Sequence, residues 1–173
     1  MLDILRSRRS IRKYEERRLE PEKVALIKEA VLRAPSGKNA RPCEFVFVDD
    51  KETIKKLSEA RPAGSQFLSG APLAVVVLGD ESKSDTWVED CSIAAALAHC
   101  AAHATGLGSC WIQVRNRLHS DSETAEDYIR GLLDIPDNLR VLSMIAVGYP
   151  GESKPGHSEK ELDFSKIKGN YYR

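Results

Sequence analysis

The sequence has no excess charge of either sign: 26 Lys and Arg balance 26 Asp and Glu over 173 residues. A general polyanion binder carries a large basic surplus, so nucleic acid is not the expected partner. Aromatic residues are scarce, at 6%. No apolar run reaches the roughly 18–20 residues of a membrane span. The longest candidate, 91–105, is too short and holds two His. The charged N-terminus lacks the apolar segment of a signal peptide. These absences predict a soluble, cytoplasmic protein with no membrane partner. The four Cys form no Cys-x-x-Cys pair. Isolated cytoplasmic cysteines are usually reduced core residues, which argues against metal or iron–sulfur ligation. There is no Walker A sequence. Gly106-Leu107-Gly108 follows a helical pattern instead of a strand, the wrong context for a dinucleotide-binding turn. His99 and His103 stand four apart but lack the Glu of a zinc-binding His-Glu-x-x-His helix, so buried or interface positions are expected and no metal site.

What the chain does have suits one domain over 1–173. Hydrophobic residues at 42% and charged residues at 30% are enough for a single core. Residues 2–8 read as a short helical turn. Pro21 and Glu22 open a helix over 21–34, with Val24, Ile27, Val31 and Ala34 on one face, and Pro35 stops it. Residues 36–39 are a turn. Alternation around Phe45 and Phe47 gives a strand at 44–49, followed by a charged helix at 51–60. A loop at 61–72, with a helical turn at 65–69, leads to a continuous apolar run at 73–78, a buried strand. Residues 87–105 form a long Ala-rich helix, apolar nearly all round, with Gly106 as its C-terminal cap. Such a helix is either the centre of a monomer's core or a subunit interface, and the small domain favours the interface. Strands at 109–114 and 140–147 flank an amphipathic helix at 122–133. The polar tail from Gly148 has no periodicity, yet Tyr171 and Tyr172 predict packing over disorder.

Chemistry concentrates in four segments. Arg6, Arg8, Arg9, Arg12, Lys13, Arg17 and Arg18 crowd the first of them. By themselves they are a solvated arm, a nucleic-acid arm or a discrete phosphate site. Within them, Arg8-Arg9-Ser10-Ile11-Arg12 combines planar guanidinium donors with a hydroxyl, a set that matches phosphate. The second segment is Ala34-Pro35-Ser36-Gly37-Lys38-Asn39, where Asn39 alone would be ordinary turn chemistry. The third runs from Gly106 to Gln113, where Trp111 and Ile112 read equally well as strand packing. The fourth is Gly148-Tyr149-Pro150-Gly151-Glu152, followed by Lys154, His157 and Lys160.

In this order the segments resemble the FMN-dependent nitroreductase family, in its short single-domain form, over nearly the whole chain. The resemblance implies a three-layer α+β fold, a central, mainly antiparallel sheet flanked by helices. It implies an intertwined homodimer whose C-terminal tail reaches the partner, with FMN at the interface and NADH or NADPH as electron donor. Carried over by position, Arg8, Arg9 and Ser10 hold the phosphate and ring edge. Arg12 lies near O2, where its permanent charge stabilises reduced flavin. Ser36 and Asn39 read the pyrimidine edge or N5 side. Trp111, Ile112 and Gln113 lie against the isoalloxazine. Lys154 and Lys160 are the candidates to complete the phosphate site, and His157 stands where Arg is commoner. Trp87 and Asp90 match structural positions, Asp90 being favoured by the positive helix N-terminus. The implied reaction is ping-pong hydride transfer through flavin N5 to a small electrophile such as a nitroaromatic or quinone. No catalytic acid or base is required, because the cofactor carries the chemistry. Alternatives on the same fold are a dehalogenase, an enone reductase and a non-catalytic flavin-binding regulatory dimer. Arg41 departs from the family's Gln and Cys43 from its Trp, which predicts a smaller, more open and more basic pocket. Cys43 and Cys110 fall inside these segments and are expected either in the core or lining that pocket.

Overall fold

A computed structural model describes residues 1–172. The described elements are α1 (Leu2–Ser7), α2 (Pro21–Leu32), β1 (Cys43–Val48), α3 (Lys51–Ser58), β2 (Leu73–Asp80), α4 (Trp87–Ala104), β3 (Gly108–Gln113), α5 (Ala125–Leu132) and β4 (Leu139–Gly148). The strands lie in the order β1-β2-β4-β3, and every neighbouring pair is antiparallel.

Side chains alternate across a strand, so a strand apolar at every position must be covered on both faces. β2 is buried along its whole length. Leu73, Val75 and Val77 turn to one side with Ile145 and Val147 of β4, where they meet Ile27 and Val31 of α2 and Cys91, Ala95 and Ala98 of α4. Ala74, Val76 and Leu78 turn to the other with Met144 and Ala146, where they meet Ile54 and Leu57 of α3 and Ala125 and Ile129 of α5. The result is helix, sheet, helix: three layers.

The element boundaries differ from the sequence expectation for local reasons. The helix expected at 122–133 begins at Ala125, because the Thr124 side chain accepts the Asp127 N–H at 3.0 Å and caps it there. α2 ends at Leu32, two residues short, since Pro35 disfavours helical backbone in the residue before it. β2 runs on through Asp80, its last two residues pairing with Arg140 and Leu139. α4 ends at Ala104, and Gly106 follows in the left-handed region at φ 79°, which only glycine adopts freely.

The chain's two ends meet at the β3 edge. Ser10 bridges Ser109 in parallel, and the Ile11 N–H donates to the Ser109 carbonyl at 3.0 Å. Tyr14 bridges Pro150, and the Gly151 N–H donates to the Lys13 carbonyl at 2.8 Å. Further on, the tail turns outward: Leu162, Phe164, Ile167, Tyr171 and Tyr172 are each more than half exposed in the single chain. None of the described helices is long and apolar enough to cross a membrane.

Candidate functional site

The meeting of the two ends builds a cationic cleft. Arg8, Arg9, Ser10, Arg12, Lys154 and His157 line a cavity of about 280 Å³. The tail closes it from one side. Arg9 donates from its guanidinium to the Pro155 carbonyl. Lys154 donates to the Ser10 carbonyl at 3.1 Å and to Glu152 Oε1 at 2.9 Å. The same Glu152 oxygen accepts the Arg12 backbone N–H at 2.6 Å. That N–H first, and Lys154 second, hold the Glu152 carboxyl down to about 2. Glu152 is therefore an ionised post that fixes Arg12 and Lys154 together. Gly156 passes so close to α1 that a Cβ there would collide with the Arg6 carbonyl. Only glycine lets the tail lie this near.

A second cavity, about 370 Å³, shares Arg8 and Ser10 with the first and continues along α4. Its other walls are Leu5, Ser92, Ala96, His99, Cys100 and Trp111. The Arg8 guanidinium, between the two cavities, has neither a hydrogen bond nor an ion pair among the described residues, and only the Arg8 backbone N–H is engaged, with the Ile4 carbonyl at 2.8 Å. His99 Nδ1 lies 2.7 Å from Ser109 Oγ. Burial first, and the Arg8 charge second, hold this imidazole down to about 4, so it is neutral at physiological pH. His103, one turn further, pairs instead with Ser7 Oγ at 2.7 Å. The two imidazoles thus have separate partners, and among the described residues no His, Cys, Asp or Glu cluster could hold a metal.

β3 sets which of its residues face the second cavity. Ser109 and Trp111 point toward α4, while Ile112 points the other way and is buried among Val114, Ile129 and Met144. Of the three residues expected against a ring, Ile112 offers only its backbone to the α4 side, because successive side chains alternate across a strand. Gln113 is engaged locally. Its Oε1 accepts from Trp111 Nε1 at 3.0 Å, and its Nε2 donates to the Arg115 carbonyl at 2.9 Å. Arg12 lines the cationic cleft, but its guanidinium also lies 5.7 Å from the Phe67 ring centre.

Ser36 and Asn39 are not brought to this cleft within one chain. They sit on a loop fastened to the start of α4. Buried Asp90 accepts the Gly37 N–H at 2.9 Å and the Ser84 and Thr86 hydroxyls at 3.3 Å each. Ser36 Oγ accepts the Arg41 N–H at 2.9 Å, and Asn39 Oδ1 accepts from Arg41 Nε at 3.0 Å. Lys38, Asn39 and Arg41 all have positive φ, 52°, 55° and 48°. For Lys38 and Arg41 this costs about 1–2 kcal/mol each relative to right-handed backbone, whereas Asn39 tolerates it, and strain of this kind gathers at functional sites. Lys160 lies in the exposed turn Glu159–Glu161, beyond the residues lining the cleft.

Sequence reasoning gave no site role to Glu152 or His99. Glu152 was visible in the Gly-Tyr-Pro-Gly-Glu segment, where an acid beside so many bases was the available signal. His99 had a weaker one, a polar ring in an otherwise apolar helix.

A three-layer α+β fold with an unpartnered guanidinium between a cationic cavity and one walled by His99 and Trp111 suits a phosphorylated, partly planar small molecule. The chain belongs to the nitroreductase family, whose sequence profile matches residues 5–61 and 59–149. Among solved structures, an FMN-dependent nitroreductase from Clostridium difficile R20291 is 46% identical, with a TM-score of 0.98 over 99% of this chain and 100% of that one. A protein of Archaeoglobus fulgidus, whose name couples NADH dehydrogenase with NAD(P)H nitroreductase, is 40% identical over 88% of this chain and 87% of its own. An FMN reductase [NAD(P)H] of Bacillus subtilis is 29% identical over 86% of this chain and 65% of its own.

Proposed function

We propose that the protein is an FMN-dependent oxidoreductase that takes hydride from NADH or NADPH and reduces a small electrophile, such as a nitroaromatic or quinone, in a ping-pong cycle. The observation that carries this reading is the unpaired Arg8 guanidinium between the two cavities. A half-buried guanidinium with no protein acceptor has its planar donors free for an anionic ligand. Phosphate fits the cationic cavity: Arg8, Arg9, Arg12 and Lys154 outnumber Glu152, the one carboxylate hydrogen-bonded to them among the described residues. FMN bound there would supply a hydride acceptor and release electrons to the second substrate.

The chain's own residues then have definite work. Arg8 and Ser10 bind the phosphate. Lys154 has already given two of its three N–H donors to Ser10 and Glu152, which leaves one for an anion. Arg9, tied to the Pro155 carbonyl, holds the tail across the cleft. Neutral His99 and Trp111 wall the second cavity and exclude water without adding charge. Arg12 offers a permanent positive charge for a reduced, anionic ring.

We further propose a homodimer. The Ser36–Asn39 loop would reach the cleft of a second copy, and the exposed tail would cover that copy. Three features support this: the loop's distance from its own cleft, the over-half-exposed Phe164, Ile167 and Tyr172, and an α1 with no buried residue.

The purified protein should show a flavin spectrum that bleaches with NADH or NADPH without oxygen and recovers on adding a nitroaromatic or quinone. The Arg8→Ala/Ser10→Ala double variant should bind FMN at least about 100-fold more weakly, since bonds to a charged group contribute about 1.5–3 kcal/mol each. Unchanged FMN affinity in the variant would refute the phosphate assignment.

A further inference from the structure

Two cysteines outside the cleft form a pair the proposed chemistry does not use. Cys43 opens β1, and Cys91 lies one turn into α4, with their sulfurs 3.2 Å apart. All four cysteines of the chain are free thiols. The two differ in access. Cys91 is fully buried, and its S–H faces two acceptors, Cys43 Sγ and the Leu78 carbonyl at 3.1 Å. Cys43 is half-buried and lines an open groove of about 620 Å³ with Lys28, Phe45 and Phe47.

We propose that Cys43 and Cys91 are a reversible dithiol–disulfide pair that latches the 37–42 loop onto α4. Cys43 is the sulfur an oxidant reaches, and Cys91 resolves it. A hydroperoxide is the oxidant class. In the first step the Cys43 sulfur attacks the O–O bond, which gives a sulfenic acid and, from hydrogen peroxide, one water. In the second, the Cys91 sulfur attacks the Cys43 sulfur. The S–O bond breaks, the Cys91 proton joins the departing hydroxyl, and a second water leaves with the S–S bond formed. Two thiols lose two electrons and the peroxide gains them. A small dithiol reverses the reaction by exchange.

The sulfurs need to approach by only about 1 Å to reach bonding distance, near 2.05 Å. The S–H donated by Cys91 holds the Cys43 thiol below its usual range, against burial and the Asp90 charge, which favours the nucleophilic thiolate there. The site also has a mechanical consequence. Asp90 already holds Gly37 at one end of the loop, at 2.9 Å. Cys43 is the first residue after its other end. A Cys43–Cys91 bond therefore pins both ends of a strained loop to the same turn of α4. The bond closes a sequence separation of 48 residues, a span over which cross-linking restricts the unfolded chain strongly.

The test uses the flavin-loaded protein treated with hydrogen peroxide, alkylated, and mapped by mass spectrometry. Wild type should lose two alkylatable thiols and yield one cross-linked peptide joining Cys43 to Cys91, reversed by dithiothreitol. Cys43→Ser should abolish the cross-link and leave Cys91 alkylatable after unfolding. Cys91→Ala should stop at a Cys43 sulfenic acid that dimedone traps. The oxidised protein should melt roughly 5–15 °C higher, and amides of residues 37–42 should exchange about tenfold more slowly. Full alkylation of Cys43 and Cys91 after excess peroxide, or a cross-link to Cys100 or Cys110 instead, overturns the pairing. A correct cross-link with unchanged loop exchange overturns the latch.

Discussion

His99 shows what one buried side chain does to the acid stability of the whole molecule. Its neutral ring is held down to about 4 by burial, whereas an unfolded His titrates near 6.5. As pH falls, the unfolded state takes up the proton first. The stability associated with His99 is complete above about pH 6.5 and is lost as pH falls toward 4. Between pH 7 and pH 5 the linkage amounts to about 2 kcal/mol. In urea unfolding at the two pH values, His99→Gln should lose about that much less stability on acidification than wild type. An equal loss in both proteins would mean that the ring titrates normally. Asp90, toward the opposite end of α4, acts by geometry instead: its buried carboxyl oxygens accept from the Gly37 N–H and the Ser84 and Thr86 hydroxyls, which anchors a loop.

At the scale of elements, the tail segment after β4 is the piece most dependent on a single position. Gly156 lets it lie against the end of α1, and Arg9, Lys154 and Glu152 then knit it to the N-terminal segment. Gly156→Ala should lift this segment off. Limited trypsin digestion should cut after Lys160 or Lys166 several-fold faster than in wild type, while the melting of the three-layer core stays nearly unchanged. A cutting rate like wild type would show that the contact is dispensable. The elements themselves were largely legible in the sequence, because burial on both faces leaves β2 no polar position to hide it and Pro21 and Pro35 bracket α2. The strand order was not. Nothing in 73–80 or 108–113 says that β4 must lie between them, since that depends on pairing across the whole domain. The cationic half of the cleft was legible as well, because Arg8 to Arg12 are contiguous and chemically distinctive. Whether Trp111 or Ile112 turns to the core was left open, because it depends on which face of β3 the rest of the domain covers. The separation of Ser36 and Asn39 from Arg8 was hidden for the same kind of reason.

For the molecule as a whole, the exposed tail is the largest anomaly. Side chains such as Phe164, Ile167 and Tyr172 in open water forfeit roughly 1.5–3 kcal/mol each relative to full burial. The full chain should sediment as a dimer, and a chain shortened by deleting 162–173 as a monomer. The shortened chain should also hold FMN more weakly if the cleft is shared. Dimers of undiminished affinity in the shortened chain would assign the interface to α1 and α4 alone. The sheet order β1-β2-β4-β3 has a consequence for how the molecule comes into being. During synthesis β1, β2 and β3 emerge before β4, but β2 and β3 have no shared edge. The nascent chain therefore carries two unpaired strand edges until residues 139–148 leave the ribosome, the period in which mispairing and aggregation threaten it most. The cationic cleft closes later still, because the bridge from Tyr14 waits for Pro150. Cofactor can be captured there only once residues 150–157 have been made.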